Sequence, residues 1–229
     1  YLAINADGTG ITFADAPSGS GGGSGSSTTL KGRVLEYISM VANGSSFVSS
    51  SGTYTTTNIT SVTVAQYSSF QTFPGAFITL DSNPNGSYVP PTDTKAVHIK
   101  FLLSRGGGRS VSRGEYAIKL GSDVVLKTRK TTNDHREPGP VVIEGVFMID
   151  SNIVSDDIQS MKLKSWNSVR TVEAVFKGGG SGDSGAYLNT PLWSGSTDWV
   201  SPPVITITAF GDETVSSGGG GGGITNFLA

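Results

Sequence analysis

The loop expected over residues 187–203 holds the densest set of groups able to recognise a ligand. Tyr187, Trp193 and Trp199 are interleaved with Asn189, Ser196 and Asp198. Stacking rings beside hydrogen-bonding amides and carboxylates are what a sugar or a polar receptor surface requires. Pro191, Pro202 and Pro203 stiffen the stretch and lower the ordering cost of binding. The structural alternative is that Trp193 and Trp199 close the end of the fold or a subunit interface, where Trp is equally at home.

Two basic clusters offer a different chemistry. Arg105, Arg109 and Arg113 surround a Gly triplet at 106–108, and Lys127, Arg129, Lys130, His135 and Arg136 form the second cluster. Guanidinium forks bind paired oxygens, so Arg109 and Arg129 are candidates for acidic polysaccharide or lipopolysaccharide phosphate. Asp134 and Glu137 neutralise the second cluster, and a solvated pair of loops is the simpler reading.

Three further strings suggest catalysis or metal binding and then fail on context. Gly182, Asp183, Ser184 and Gly185 form the string around the nucleophile of chymotrypsin-like proteases, which also need a His held by a buried Asp. His98 falls inside an apolar run and His135 in a charged loop, and a loop of this composition explains the string without catalysis. Residues 81–86 begin like a calcium loop but put Thr92 where a bidentate Glu belongs, so they read as an Asn-Gly turn. No carboxylate pair with glycosidase spacing can be assigned. The sequence therefore assigns no catalytic residue, no metal ligand and no cofactor, and a non-enzymatic role is expected.

Those groups need a scaffold, and 229 residues with 36% apolar content can build a real core. Charged residues are 15%, against about 25% in ordinary soluble domains, so the polar surface is mostly hydroxyls and amides. A net charge of -2 provides no field for nucleic acid or anionic membranes, and neither is expected as a partner. There are no cysteines, which leaves packing, sheet pairing and oligomerisation to supply stability. No apolar run approaches the roughly 18 residues of a membrane span. The first residue is Tyr rather than Met, and a piece of a longer protein is expected.

β-Branched and aromatic segments with period-two alternation predict strands at 33–42, 59–67, 76–81, 96–104, 115–120, 124–129, 141–150, 161–166, 168–176 and 204–210. Residues 155–160, with Asp156 and Asp157 early, predict a single helical turn. The pattern argues for an all-β, jelly-roll-like sandwich over residues 30–212. A Gly/Ser linker precedes it at 17–29, about 20 Å in root-mean-square span. A Gly-rich tail, 213–229, follows. In residues 1–16, Leu2, Ile4, Ile11 and Phe13 alternate with polar positions around a Gly turn. Such a hairpin has one apolar face, is marginal in water, and needs partners.

Residues 1–15 resemble the repeated closing segment of bacteriophage fibre shafts, where three chains wrap around one another ahead of a distal head. The strings GRVLEYIS (32–39), TKAVHIKFLL (94–103), AIKLGSDVV (117–125), VFMID (146–150), MKLKSW (161–166), TVEAV (171–175) and ITITAF (205–210) follow in order. This order resembles a C-terminal fibre domain frequent in tailed phages, marine ones in particular. The likeness covers most of 32–211 as order and spacing. The ending at 209–212 departs from it, and the Gly tail lies outside it. The resemblance implies a homotrimeric β-sandwich head on the surface of a virion, with other virion proteins and a host-surface glycan or protein as partners. It implies no catalytic residues. Two alternatives stay open: a capsid-attached head fibre or decoration protein with a structural role, and a glycan-degrading tailspike. The tailspike would be expected to carry a longer β-helical body with acidic residues.

Overall fold

Period-two alternation decides where the strands run. The computed structural model describes residues 2–4, 11–13, 32–65, 67–81, 87–106, 114–132, 139–178, 186–191 and 199–212, in two units, 1–30 and 31–229. The first unit contains β1 (Leu2–Ile4) and β2 (Ile11–Phe13), an antiparallel pair with Leu2 opposite Phe13 and Ile4 opposite Ile11. The linker at 17–29 and the tail at 213–229 lie outside the described residues.

The second unit is a β-sandwich. Its strands are β3 (Gly32–Val41), β4 (Ser46–Ser49), β5 (Gly52–Thr56), β6 (Thr63–Ala65), β7 (Tyr67–Leu80), β8 (Ser87–Tyr88), β9 (Thr94–Gly106) and β10 (Gly114–Leu120). They continue with β11 (Asp123–Thr132), β12 (Gly139–Ile149), β13 (Lys162–Leu163), β14 (Arg170–Gly178), β15 (Ala186–Leu188) and β16 (Val204–Asp212). The first sheet runs β11-β10-β14-β7-β5-β4, with β8 also on β14. In the second, β12 and β13 lie on one side of β9, and β16-β3 and β15-β6 lie on the other. Among the described strands only β12 and β13 pair parallel.

The inward residues of β9, Val97, Ile99, Phe101 and Leu103, are fully buried, as are Ile205 and Ile207 on β16 and Phe147 on β12. They meet Tyr116, Ile118, Val172 and Phe176 from the first sheet in one apolar cluster. Trp166 stands edge-on to Tyr88 at 5.7 Å and to Phe147 at 6.2 Å, closing the layer at one end. Glu36 is the polar exception on an inward position of β3. It accepts from the Tyr88 hydroxyl at 2.8 Å, and burial pushes its carboxyl above the usual carboxylate range.

Several expected strands change length. The Ser/Thr/Gly-rich region at 46–56 forms the β4–β5 hairpin, in which Tyr54 and Thr56 point inward. The strand expected at 59–67 shrinks to β6, and β7 begins at Tyr67, much earlier than the expected 76. Between Thr72 and Phe77 the register of β7 against β14 shifts, and Gly75 takes a φ of +74°. A Cβ there would lie 2.4 Å from Ile59, so both the turn and the close approach need glycine. The expected strand at 161–166 contracts to β13. The expected turn is present at 158–160, where the Asp157 side chain accepts from the Ser160 amide.

The edge of the first sheet is closed by a side chain. On β11 the Gln159 amide accepts from the Leu126 N–H at 3.0 Å and donates to the Val124 carbonyl at 2.9 Å, standing in for a neighbouring strand.

Gly75→Ala is expected to cost about 2–4 kcal/mol through left-handed strain and overpacking, read as a lower denaturation midpoint. A midpoint matching wild type would contradict the packing at Ile59. The raised carboxyl of Glu36 binds its proton more tightly when folded. Its contribution is therefore present below the ordinary value of 4.5 and lost as pH rises through the folded one. The stability of wild type relative to Glu36→Gln should accordingly be greater at pH 4.5 than at pH 7. A pH-independent difference would remove Glu36 from the buried interior.

Candidate recognition site at one end of the sandwich

Strand registers sort the chain into two ends. At one, Gly32 pairs with Asp212 and Gly211 with Thr94, so the unit starts and β16 stops side by side. At the other, Gly114 lies opposite Gly178 and Thr132, Tyr67 opposite Gly178, Gly139 opposite Arg105, and Tyr187 opposite Gly106. Of the candidate recognition residues, Tyr187, Trp199 and Arg129 are described, and each belongs to a segment that starts or finishes at this second end.

Tyr187 was expected in a loop and lies on β15. This three-residue strand bridges the end of β9 and the edge strand β6, with Ala186 and Leu188 inward and Tyr187 outward, half-buried. Its cross-strand neighbour is Val64, which is 59% exposed. The two form an amphipathic patch that the sequence reading did not anticipate. Val64 sits in an unremarkable Thr/Val run whose alternation alone would have placed it outward.

Asn189 then turns the chain with a φ of +64°. It is fully buried, its N–H donates to the Ser104 carbonyl at 2.9 Å, and its own carbonyl accepts from the Ser201 N–H at 2.9 Å. The Asn189 amide donates to the Pro74 carbonyl at 3.3 Å, and the Ser104 and Ser201 hydroxyls meet at 2.6 Å. Asn tolerates the left-handed region better than most residues, and here its side chain also fixes the corner. The backbone at 189 is thus pinned to that at 201, and both to the end of β9, in a hydrogen-bonded neck. Trp199, two positions before Ser201, is 67% exposed. An indole that large left in water beside an ordered backbone is a preorganised contact surface. Trp193 and Asp198 lie outside the described residues.

The basic clusters separate. Arg129 lies on edge strand β11 of the first sheet, half-exposed, with a guanidinium nitrogen 3.5 Å from Glu115. Tyr187 belongs to the second sheet, and no described contact joins the two. Arg105 is not in a solvated loop. It occupies an inward position of β9 and is 3% exposed. There burial pushes the Tyr116 phenol up to about 12, with the Arg105 charge pulling the other way. Arg109, Arg113, His135 and Arg136 lie outside the described residues, as do 182–185 and 82–86. His98 is mid-strand on the outer face of the second sheet, its Nε2 3.4 Å from Glu144. Among the described residues no group of three His, Asp or Glu side chains gathers to hold a metal. An open cleft at the opposite end is lined by Pro91, Lys95, Lys164 and Trp166, but that Trp is only 4% exposed and offers no stacking face.

No protein-family model matches the chain, and a search of curated proteins finds no match.

If the backbone conformation at 189 sets the neck, Asn189→Ala should lose about 1–2 kcal/mol more stability than Asn189→Gly, because only Gly enters the left-handed region without strain. Equal losses in chemical denaturation would contradict this.

Proposed function

We propose that this chain is the distal part of a virion attachment fibre, a non-enzymatic homotrimer whose heads bind a glycan or protein on the host surface. The observation that carries the reading is Trp199, solvent-exposed on a hydrogen-bonded neck at the end of the sandwich opposite Gly32. A fibre head needs that polarity, with the chain entering at the base and recognition groups at the tip. The likeness of residues 1–15 and 32–211 to phage fibre segments supports the same assignment.

The mechanism is adhesion by multiplicity. Three heads on one axis make the second and third contacts intramolecular, so weak single sites hold a particle firmly. Aromatic and neutral polar groups, Trp199 and Tyr187 among them, suit sugar rings better than a strongly charged polymer, in keeping with the net charge of -2. Arg129 flanks the tip from the other sheet as a secondary contact for acidic groups. The site of action is the outside of the particle, alongside other virion proteins.

Trp199→Ala should weaken binding of the labelled protein to candidate bacterial host cells by at least about tenfold, as for an interface anchor, while leaving the denaturation midpoint unchanged. Undiminished binding by Trp199→Ala and Tyr187→Ala would leave the chain a purely structural part of the particle.

A further inference from the structure

The outer face of the second sheet carries an exposed apolar row that no described element covers. Register aligns Val142, Leu102, Val204 and Val41 across β12, β9, β16 and β3 in one row, about 14 Å wide at ordinary strand spacing. Val142, Leu102 and Val41 are 40%, 39% and 39% exposed. Two residues further along each strand, the next row carries Glu144 and Lys100 with neutral Thr206 and Ser39. The third brings Val146 beside His98 and leaves Tyr37, on β3, 58% exposed. An exposed apolar row flanked by further exposed apolar side chains, Val146 and Tyr37, is the kind of patch that marks an interaction surface.

We infer that this face is the contact between copies of the chain. The inference rests on the fibre-head reading, which puts the symmetry axis along the strands, from Gly32 towards the tip. Rotation about such an axis preserves height, so every cross-strand row meets the same row of its neighbour. The Leu102 row then meets an apolar row, and the Lys100 row meets one that carries Glu144. Charge complementarity favours this occupant over a foreign one. Among the described residues Lys100 belongs to no ion pair, while Glu144 reaches only the half-buried His98. A neighbouring copy supplies Lys100 with a carboxylate and Glu144 with an ammonium in the same step, beside the apolar Leu102 row that excludes water.

The absence of cysteine makes a single introduced thiol a clean probe. In the 229-residue chain, Leu102→Cys should react with a maleimide at least about tenfold more slowly than Val154→Cys on the exposed 151–157 loop, as expected for the water-excluded core of an interface. Adding Lys100→Glu to Leu102→Cys should restore fast labelling by placing like charges at the same height. Refolding that double variant together with Glu144→Lys should slow it again, which a contact confined to one chain cannot do. Comparable rates for Leu102→Cys and Val154→Cys, or no rescue on mixing, would overturn the interface. Protection that arises only when host cells are added would overturn it too, by giving the face to a foreign partner. A labelled-open face on a protein that still binds cells sinks this interface alone, and a protected face on a protein that binds no cells sinks the receptor reading alone.

Discussion

The antiparallel ladder of β9 is the constraint on which the other features hang. This 13-residue strand is bordered on both edges, by β12 along one side and by β16 and then β15 along the other. Since side chains alternate strictly, one register choice sends Val97, Ile99, Phe101, Leu103 and Arg105 inward and His98, Lys100, Leu102 and Ser104 outward. A slip by one residue would put Lys100 in the core and Phe101 in water. The same register fixes the hand-over at Leu102–Arg105, where β16 leaves the edge and β15 takes it. That hand-over creates the corner at Asn189 and the neck beneath Trp199.

Two buried polar groups show how the ends are specialised. Near the base, Glu36 is held by Tyr88 beneath the aromatic stack of Tyr54, Tyr88 and Trp166, a closed arrangement with all its rings buried. Near the tip, Arg105 lies inside β9 beside Tyr116, where an ordinary sandwich would place another aliphatic residue. Buried charges demand ordered partners and so rigidify what surrounds them. Packing thus makes the Gly32 end a plug and the Asn189 end a firm rim beside which Trp199 stays exposed.

The long strands were legible because apolar alternation survives in them: β3, β9, β12 and β16 run within two residues of expectation at each end. The β4–β5 hairpin was hidden by composition, since Ser, Thr and Gly read as loop while the stabilising contacts, such as the 2.6 Å meeting of Thr55 and Thr79 hydroxyls, are long-range. The irregularity of β7 was hidden for a similar reason, because only Ile59, sixteen residues earlier, explains Gly75. For the site, exposed aromatic chemistry pointed to Tyr187 and Trp199, but the neck depends on Ser104 and Pro74, which no local pattern connects to Asn189. Arg105 was misjudged because Gly neighbours suggest a loop, whereas β9 continues through Gly106.

Trimeric association is the central claim of the proposed function, since the resemblance of residues 1–15 to a fibre shaft, the proposed sheet-face contact and adhesion by multiplicity all depend on it. The most direct measurement is the light-scattering mass of the purified 229-residue chain across micromolar concentrations. The account requires about three times the 23.6 kDa of one chain, independent of dilution. A stable monomer over that range would contradict it.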